Sequence, residues 1–510
     1  MSYAALTEHY QRIAHLRHAE AILSWDEATV MPAGGGAARG QALSTLRGVI
    51  HQHATSAQLA DLFAAAADES RNLSPWQQAN LREMTREWVR ATALPQNLVE
   101  AMSRAESACE QGWRKLRPAN DFAGFLPLFG EVVRLKREAA RALGDKLALD
   151  PYDALLDGFE PGMRASLVAP LFSRLREILP GLIARAVERQ AREQVATCEG
   201  PFPVERQRAL GIALMRRVGF DFDHGRLDTS HHPFCGGVPE DVRITTRYDV
   251  HNYASALFGV LHESGHAKYE QNLPRAWRGQ PVGAARGMSV HESQSLLLEM
   301  QVGRSGAFLE FVSPIIAAAF PELGTSSAPL ETFSQQNLFL QVTRVKPSLI
   351  RVEADEVTYP CHVALRFELE QGLIEGSLRP EDVPEAWDAG MRRLLGLSTS
   401  GNDRDGCMQD VHWPAGLFGY FPSYTLGALT AAQLFRAARR AQPDLMDRLR
   451  RGELDALDAW LRDNVWSRGS YFSTSELIER ATGSPLGTEA FEEHIERVYV
   501  DRSVSGSGRA

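Results

Sequence analysis

The five residues His262-Glu263-Ser264-Gly265-His266 constrain the fold first, because two imidazoles four positions apart reach one point only if the chain between them is helical. In H-E-x-x-H the two rings project from one face and can share a metal at about 2.0–2.1 Å. The carboxylate beside them, Glu263, is placed to act as a base toward water. The flanking residues agree with a helix. Tyr253 to Tyr269 (YASALFGVLHESGHAKY) contains no proline and supplies apolar residues at Leu257, Val260 and Leu261, consistent with a buried helix. Gly259 and Gly265 lower helix propensity there but permit another backbone to come close. The competing reading is a pair of ordinary helix histidines.

A third ligand stands downstream. Ser289-Val290-His291-Glu292-Ser293-Gln294-Ser295 opens a second apolar helix through Leu296, Leu297, Leu298 and Met300. A carboxylate in its first turn is favoured by the helix dipole, and Ser289 is the N-cap candidate. Read with the first motif, Glu292 joins His262 and His266 as a metal ligand. Two histidines and one glutamate leave a fourth position for water, as catalytic zinc requires, whereas structural zinc sites are closed, usually by cysteine. Cobalt or manganese can take the same ligands.

Six motifs occur in order: His232-Pro233-Phe234; Asp241-x-Arg243-x-Thr245; His262 to His266; His291-Glu292-Ser293-Gln294; Ile350-Arg351-x-x-Ala354-Asp355; and Gly406-x-x-Gln409-Asp410-x-His412-Trp413. With Trp25-Asp26, Thr29, Met31 and Pro32 they resemble the carboxypeptidase Taq family of zinc metallocarboxypeptidases, over essentially the whole chain. The resemblance implies a large, mainly α metallopeptidase fold with a deep active-site groove between two lobes and a small β-sheet at the groove edge. Residues 1–510 then form a single catalytic domain. It also implies a zinc cofactor, a homodimer and broad side-chain tolerance.

Composition is compatible. The 510 residues are 44% hydrophobic, enough for a large core. A net charge of −9 with no Lys/Arg block argues against nucleic acid as a partner. The first residues (MSYAALTEHYQRIAHLRHAEAIL) carry charges throughout, unlike a signal peptide, and no apolar run is long enough to span a membrane. Cys109, Cys198, Cys235, Cys361 and Cys407 are scattered and odd in number. They fit a reducing cytoplasm better than a disulfide scaffold.

Helical periodicity dominates, as in Leu128 to Lys146 and Gly181 to Gln194. The clearest exception is Gly225 to Val250, where Val242, Ile244, Thr246, Tyr248 and Val250 alternate with mostly polar residues. That pattern predicts a strand in a small sheet, placed to pair with an extended peptide. Ala33-Gly34-Gly35-Gly36 reads as a flexible loop, and 503–510 as a disordered tail.

The expected chemistry is release of single C-terminal residues from peptides, with Glu263 as general base. A terminal carboxylate needs a cationic clamp, for which arginine's planar fork is suited. Arg351 is the first candidate and Arg243 the second; the competing reading pairs them with Asp355 and Asp241. His412, oriented by Asp410, and Tyr420 are candidate donors to the developing negative charge. His232 is a weaker candidate for substrate binding, and His291 for a supporting contact. Gln294, Gln409 and Trp413 are expected to shape the cleft walls. The alternatives are a zinc oligopeptide endopeptidase, which H-E-x-x-H alone does not exclude, and a peptide-binding protein without catalysis.

Overall fold

The computed structural model describes residues 2–324 and 332–503. Of the expected tail, only Ser503 lies among them. Helices dominate as the periodicity predicts, from Ser2–Thr29 to Glu489–Ile495. Their starts follow local chemistry. Ser74 and Gln77 form a reciprocal capping box ahead of the Pro75–Ala93 helix, with Pro75 in the first turn, where its missing N–H costs nothing. Leu128 to Lys146 lies in the helix Phe122–Leu147, whereas Gly181 to Gln194 overruns the helix Ala165–Gln190, which ends at Gln190. Both helices continue through prolines, Pro127 in the first and Pro170 and Pro180 in the second. In the second helix, buried Phe172, Leu175, Leu179, Leu182, Ile183 and Ala186 recur at helical spacing, and their packing outweighs the missing bonds. The glycine run is also more ordered than expected. Gly35 N–H donates to the Pro32 carbonyl in a short 3-10 turn, and Gly36 begins the helix Gly36–Ala54.

The predicted strand is real but shorter. β1 (Gly225–Thr229), β2 (Cys235–Val238) and β3 (Asp241–Thr246) form a sheet of order β1-β3-β2, with β1 parallel and β2 antiparallel to β3. Val242 and Ile244 turn inward onto Val260 and Ala267, so the sheet packs against the helix Tyr253–Gln271. Beyond Thr246 the backbone leaves the sheet because its carbonyls are claimed elsewhere: Val250 by Phe202 N–H, Asp249 by the Gln207 amide. The expectation that this strand pairs with a peptide is not met. β3 is central, and both its edges are already hydrogen-bonded.

The N-terminal helices share a small core of their own, built from Tyr3, Leu6, Tyr10, Leu59, Phe63, Leu81 and Met84. A much larger core runs from Cys109 to Tyr499 and surrounds the motif helices. Among the described residues no single helix is long and apolar enough to cross a membrane.

Within the large core the histidine helix (Tyr253–Gln271) meets the Glu292 helix (Met288–Leu296) at Gly265. A Cβ on Gly265 would lie 2.4 Å from the Gln294 carbonyl oxygen and 2.5 Å from Ser295 Cα. Gly259, on the same helix, would meet only Thr246 Oγ1 at 3.7 Å. The two glycines are therefore not equivalent. Gly265→Ala is expected to destabilise the protein by about 1–3 kcal/mol by overpacking. Gly259→Ala is expected to be neutral or slightly stabilising through helix propensity. Urea unfolding of both variants measures the contrast.

Candidate active site

Both histidines lie on the buried face of a helix capped by Asn252, whose side chain accepts from Ser255 N–H. The Glu292 helix starts differently from expectation. Gly287, at φ 54°, is its N-cap, and Ser289 sits inside the first turn. The orphan N–H of Ser289 is satisfied by buried Glu160, which also accepts from the Ser289 hydroxyl at 2.7 Å. On the other side, Gly427 of the tyrosine helix (Pro422–Ala441) leaves room for Glu292, since a methyl there would lie 2.8 Å from its Cβ.

This packing brings His262, His266 and Glu292 together, with their candidate ligand atoms all within 4.8 Å of one another. His266 Nε2 lies 3.4 Å and His262 Nε2 3.9 Å from Glu292 Oε2. Tetrahedral ligands about 2.1 Å from one ion sit about 3.4 Å apart, so the trio fits a divalent metal with little adjustment. The outer ring nitrogens are tethered. His262 Nδ1–H donates to Glu299 Oε2 at 3.0 Å, and Glu299 in turn accepts from Arg304 at 2.7 Å. His266 Nδ1 lies 2.6 Å from His291 Nδ1, whose Nε2 lies 2.8 Å from Glu270. One consistent proton arrangement has His266 Nδ1–H donating to His291 and His291 Nε2–H donating to Glu270. Both metal-facing nitrogens are then free of protons.

Electrostatics point the same way. Burial disfavours a charged His262, but the hydrogen bond to Glu299 and the charges of Glu292 and Glu263 raise its pKa to about 10. A ring that holds a proton so strongly marks a place where the surrounding carboxylates require positive charge. Burial and the neighbouring imidazoles push His266 down to about 4, Glu292 opposing them. Glu263 is 5% exposed, and its Oε2 has no hydrogen-bond partner. Burial first, then Glu292 and Glu299, raise it to about 7 against the pull of His262 and His291. An unpartnered, buried carboxylate oxygen beside the trio leaves Glu263 free to face a group held there.

A second cluster adjoins the first across the tyrosine helix. Arg351 does not pair with Asp355, whose carboxylate instead accepts from the Lys346, Val357 and Thr358 N–H groups. Its partner is Asp410, reached by Nε at 3.1 Å and Nη2 at 2.8 Å, while Nη1 donates to the Tyr359 hydroxyl. Gln409 accepts from Arg351 N–H, so the Gln409-Asp410 pair holds the arginine by backbone and side chain. The guanidinium sits among the rings of Tyr359, Phe421 and Tyr424. Asp410 is also bound by Arg366, and its Oδ1 lies 3.9 Å from His412 Nδ1, so it does not orient that ring as expected. His412 packs on Phe421 and Tyr420, with Nε2 3.3 Å from the Tyr424 hydroxyl. Burial, with Arg351 and Arg366 opposing Asp410, lowers its pKa to about 4. The Tyr420 ring stands between His412 and Phe159, and burial, then Glu292, raise its pKa.

Arg243 and His232 lie on the sheet. Arg243 forms a two-point pair with Asp241 at 2.6 and 2.7 Å and lies over Trp25 at 4.3 Å. Thr245 Oγ1 accepts from Phe234 N–H, joining the Asp241–Thr245 and His232–Phe234 motifs into one unit. His232 packs against His231 in the loop between β1 and β2. Among the described residues no hydrogen bond or ion pair ties either to the metal-binding trio. Gln294 accepts from Trp466, and Trp413 donates to buried Glu370, so both act as internal tethers. The sequence reading passed over Glu270, Glu299, Arg304, Tyr359, Tyr424 and Arg366. Glu270, four residues after His266, shares a helix face with it, whereas Glu299 lies in the π-helical turn Leu297–Gly303 that continues the Glu292 helix. Nothing comparable marks Arg366.

The family model for carboxypeptidase Taq (M32) metallopeptidases matches residues 5–499. Thermostable carboxypeptidase 1 of Thermus thermophilus is 41% identical over 509 residues, covering 98% of each chain. Among solved structures, Trypanosoma cruzi metallocarboxypeptidase 1 aligns with a TM-score of 0.95 at 42% identity, covering 98% of this chain and 99% of that one. The M32 carboxypeptidase from Deinococcus radiodurans R1 gives 0.92 at 37% identity, with the same coverage. With its His-His-Glu trio, this chain belongs to the carboxypeptidase Taq (M32) metallopeptidase family and is a metal-dependent carboxypeptidase.

Proposed function

We propose that the enzyme releases single residues from peptide C-termini with broad side-chain tolerance, using zinc held by His262, His266 and Glu292. The observation that carries this reading is the pairing of a carboxylate-rich metal cluster with a buried guanidinium, Arg351, one helix away. When bound, zinc supplies Lewis-acid polarisation of a carbonyl and acidifies water. Glu263, through its unpartnered Oε2, takes the proton from water and passes it to the departing amine. Tyr420, kept protonated by burial, and His412 donate toward negative charge on the carbonyl oxygen. Arg351 receives the terminal carboxylate on N–H groups that Asp410 and Tyr359 leave free; a guanidinium carries five. Arg243, already matched by Asp241, ranks second for this role. His232, in the loop between β1 and β2, is proposed as an outer substrate contact on the family resemblance.

We also propose that residues 1–510 form one catalytic unit, with peptide entering between the N-terminal helices and the main core. A cytoplasmic location is supported by five free cysteines. The acidic net charge favours peptide over nucleic acid or an anionic membrane as partner. A homodimer follows from the family resemblance alone, and light scattering after size exclusion tests it.

Substitution separates ligand from base. Glu292→Gln is expected to weaken metal binding markedly, read by chelator competition. Glu263→Gln keeps its metal and loses most turnover. Full metal occupancy of Glu292→Gln at low free zinc, or near wild-type turnover of Glu263→Gln, overturns the respective assignment.

The exopeptidase reading is tested with a peptide and its C-terminally amidated twin. Arg351→Ala is expected to lose about 2–5 kcal/mol of transition-state binding on the free acid, and Arg351→Lys to recover part of it. The same changes at Arg243 give the comparison. If both Ala variants keep the wild-type acid-to-amide ratio in product analysis by mass spectrometry, neither arginine reads the C-terminus.

A further inference from the structure

Arg366 takes no part in the chemistry above, yet it is among the largest fully buried side chains. A guanidinium withdrawn from water is costly unless its charge and its N–H groups are matched. Its Nε donates to Asp410 Oδ2 at 2.7 Å, Nη1 donates to the His362 carbonyl at 2.8 Å, and its centre lies 4.5 Å from the Trp387 ring. Asp410 is thereby claimed from both sides, with Oδ1 on Arg351 and Oδ2 on Arg366. One carboxylate cannot neutralise two guanidiniums.

Buried Glu370, one turn along the helix Tyr359–Glu375 from Arg366, feels that charge, but its oxygens accept from Tyr152, Trp413 and Gly419 N–H, and burial raises its pKa to about 7, so it offsets the excess only in part. Among the described residues, no other carboxylate hydrogen-bonds to either arginine. Burial, with Arg366 and Arg351, pushes His362 down to about 3, and His412 stands at about 4, so both rings are neutral near pH 7. Burial raises the Tyr359 pKa to about 12, which keeps that phenol neutral too. Burial and Arg351 pull the Arg366 pKa below the ordinary arginine value, with Asp410 opposing, but a guanidinium keeps its proton at any working pH. The cluster therefore carries a positive excess that Glu370 offsets only in part. Arg366 is fully enclosed, so an incoming anion meets that charge at Arg351.

We propose that Arg366, without touching substrate, sets the preference for a free C-terminal carboxylate by occupying half of Asp410 and leaving Arg351 short of a counter-ion. This rests on Arg351 being the carboxylate receptor. Without Arg366 the Arg351–Asp410 pair would be electrically closed, as Arg243–Asp241 is on β3, and a substrate carboxylate would compete with Asp410. Arg366 is thus a positioning residue that acts through charge. Removing a unit charge at this range, at an effective dielectric near 20, is worth about tenfold or more in carboxylate binding.

The test uses the zinc-loaded enzyme with Arg366→Met, Arg366→Gln and Arg366→Lys. Each is checked for folding by circular dichroism and for metal content. Two readouts are compared: kcat/KM on a free-acid peptide and its amidated twin, and inhibition by phenylalanine and by phenylalaninamide. The neutral variants should lower the acid-to-amide ratio about tenfold or more, chiefly through KM on the free acid, and weaken inhibition by phenylalanine more than by its amide. Arg366→Lys, which keeps the charge, should retain most of the preference. A purely structural Arg366 would lower both substrates alike. The inference is overturned if a folded, metal-loaded neutral variant keeps the wild-type ratio, or if folded Arg366→Lys loses it as fully as the neutral variants do. Gln, the more polar replacement, serves if Met fails to fold. Failure of the underlying reading is distinct: wild type would show no acid preference, or Arg351→Ala would leave that preference intact.

Discussion

The close approach of two helices at Gly265 sets the distance on which the metal-binding trio depends. His262 and His266 are one turn apart on one helix, so their separation is fixed by helix geometry. Glu292 comes from another helix, and its position relative to them is fixed only by packing. Gly265 lets the Gln294–Ser295 backbone come within 2.4–2.5 Å of where a Cβ would stand, and Gly427 does the same for Glu292 from the opposite helix. Two missing methyl groups thus place the third donor atom. The cost in helix propensity, about 1 kcal/mol each, is offset by burial in the large core.

Position alone does not make a ligand; the ring must also present the correct nitrogen. Glu299, itself held by Arg304, fixes His262, and the His291–Glu270 pair fixes His266. Both tethers use carboxylates, so the metal cluster gathers Glu263, Glu270, Glu292 and Glu299 against the single guanidinium of Arg304. A divalent ion answers that negative excess.

How much of this was legible in the sequence depended on whether a residue's role is local. The histidine helix, Glu292 and β3 could be read because 3.6- and 2-residue periodicities and the H-E-x-x-H spacing are properties of adjacent residues. The close-approach role of Gly265 followed from its lack of a Cβ. Tertiary partners could not be read this way. Asp355 was the natural neighbour for Arg351, yet Asp410, 59 positions away, is its counter-ion. Ser289 looked like a cap because serine usually is one, but Glu160, 129 positions away, does that work. The β-augmentation expectation failed because the alternation of β3 cannot report that β1 and β2 lie on both its sides.

The two clusters have opposite imbalances, and this bears on where along a peptide the cut falls. The metal cluster has surplus negative charge before an ion binds, and the Arg351–Asp410–Arg366 cluster has surplus positive charge. Buried Phe421 packs against both guanidiniums and buried Trp387 against that of Arg366. If Arg351 receives the substrate as proposed, a peptide entering that end meets an incompletely neutralised cation and then a packed wall. An internal segment would have to place uncharged backbone against the cation and continue through the wall, and both are costly. On the proposed role of Arg351, a C-terminus ends there and supplies the missing anion. On that proposal, the charge imbalance that makes the cluster expensive to bury also favours removal of the last residue over cleavage within the chain.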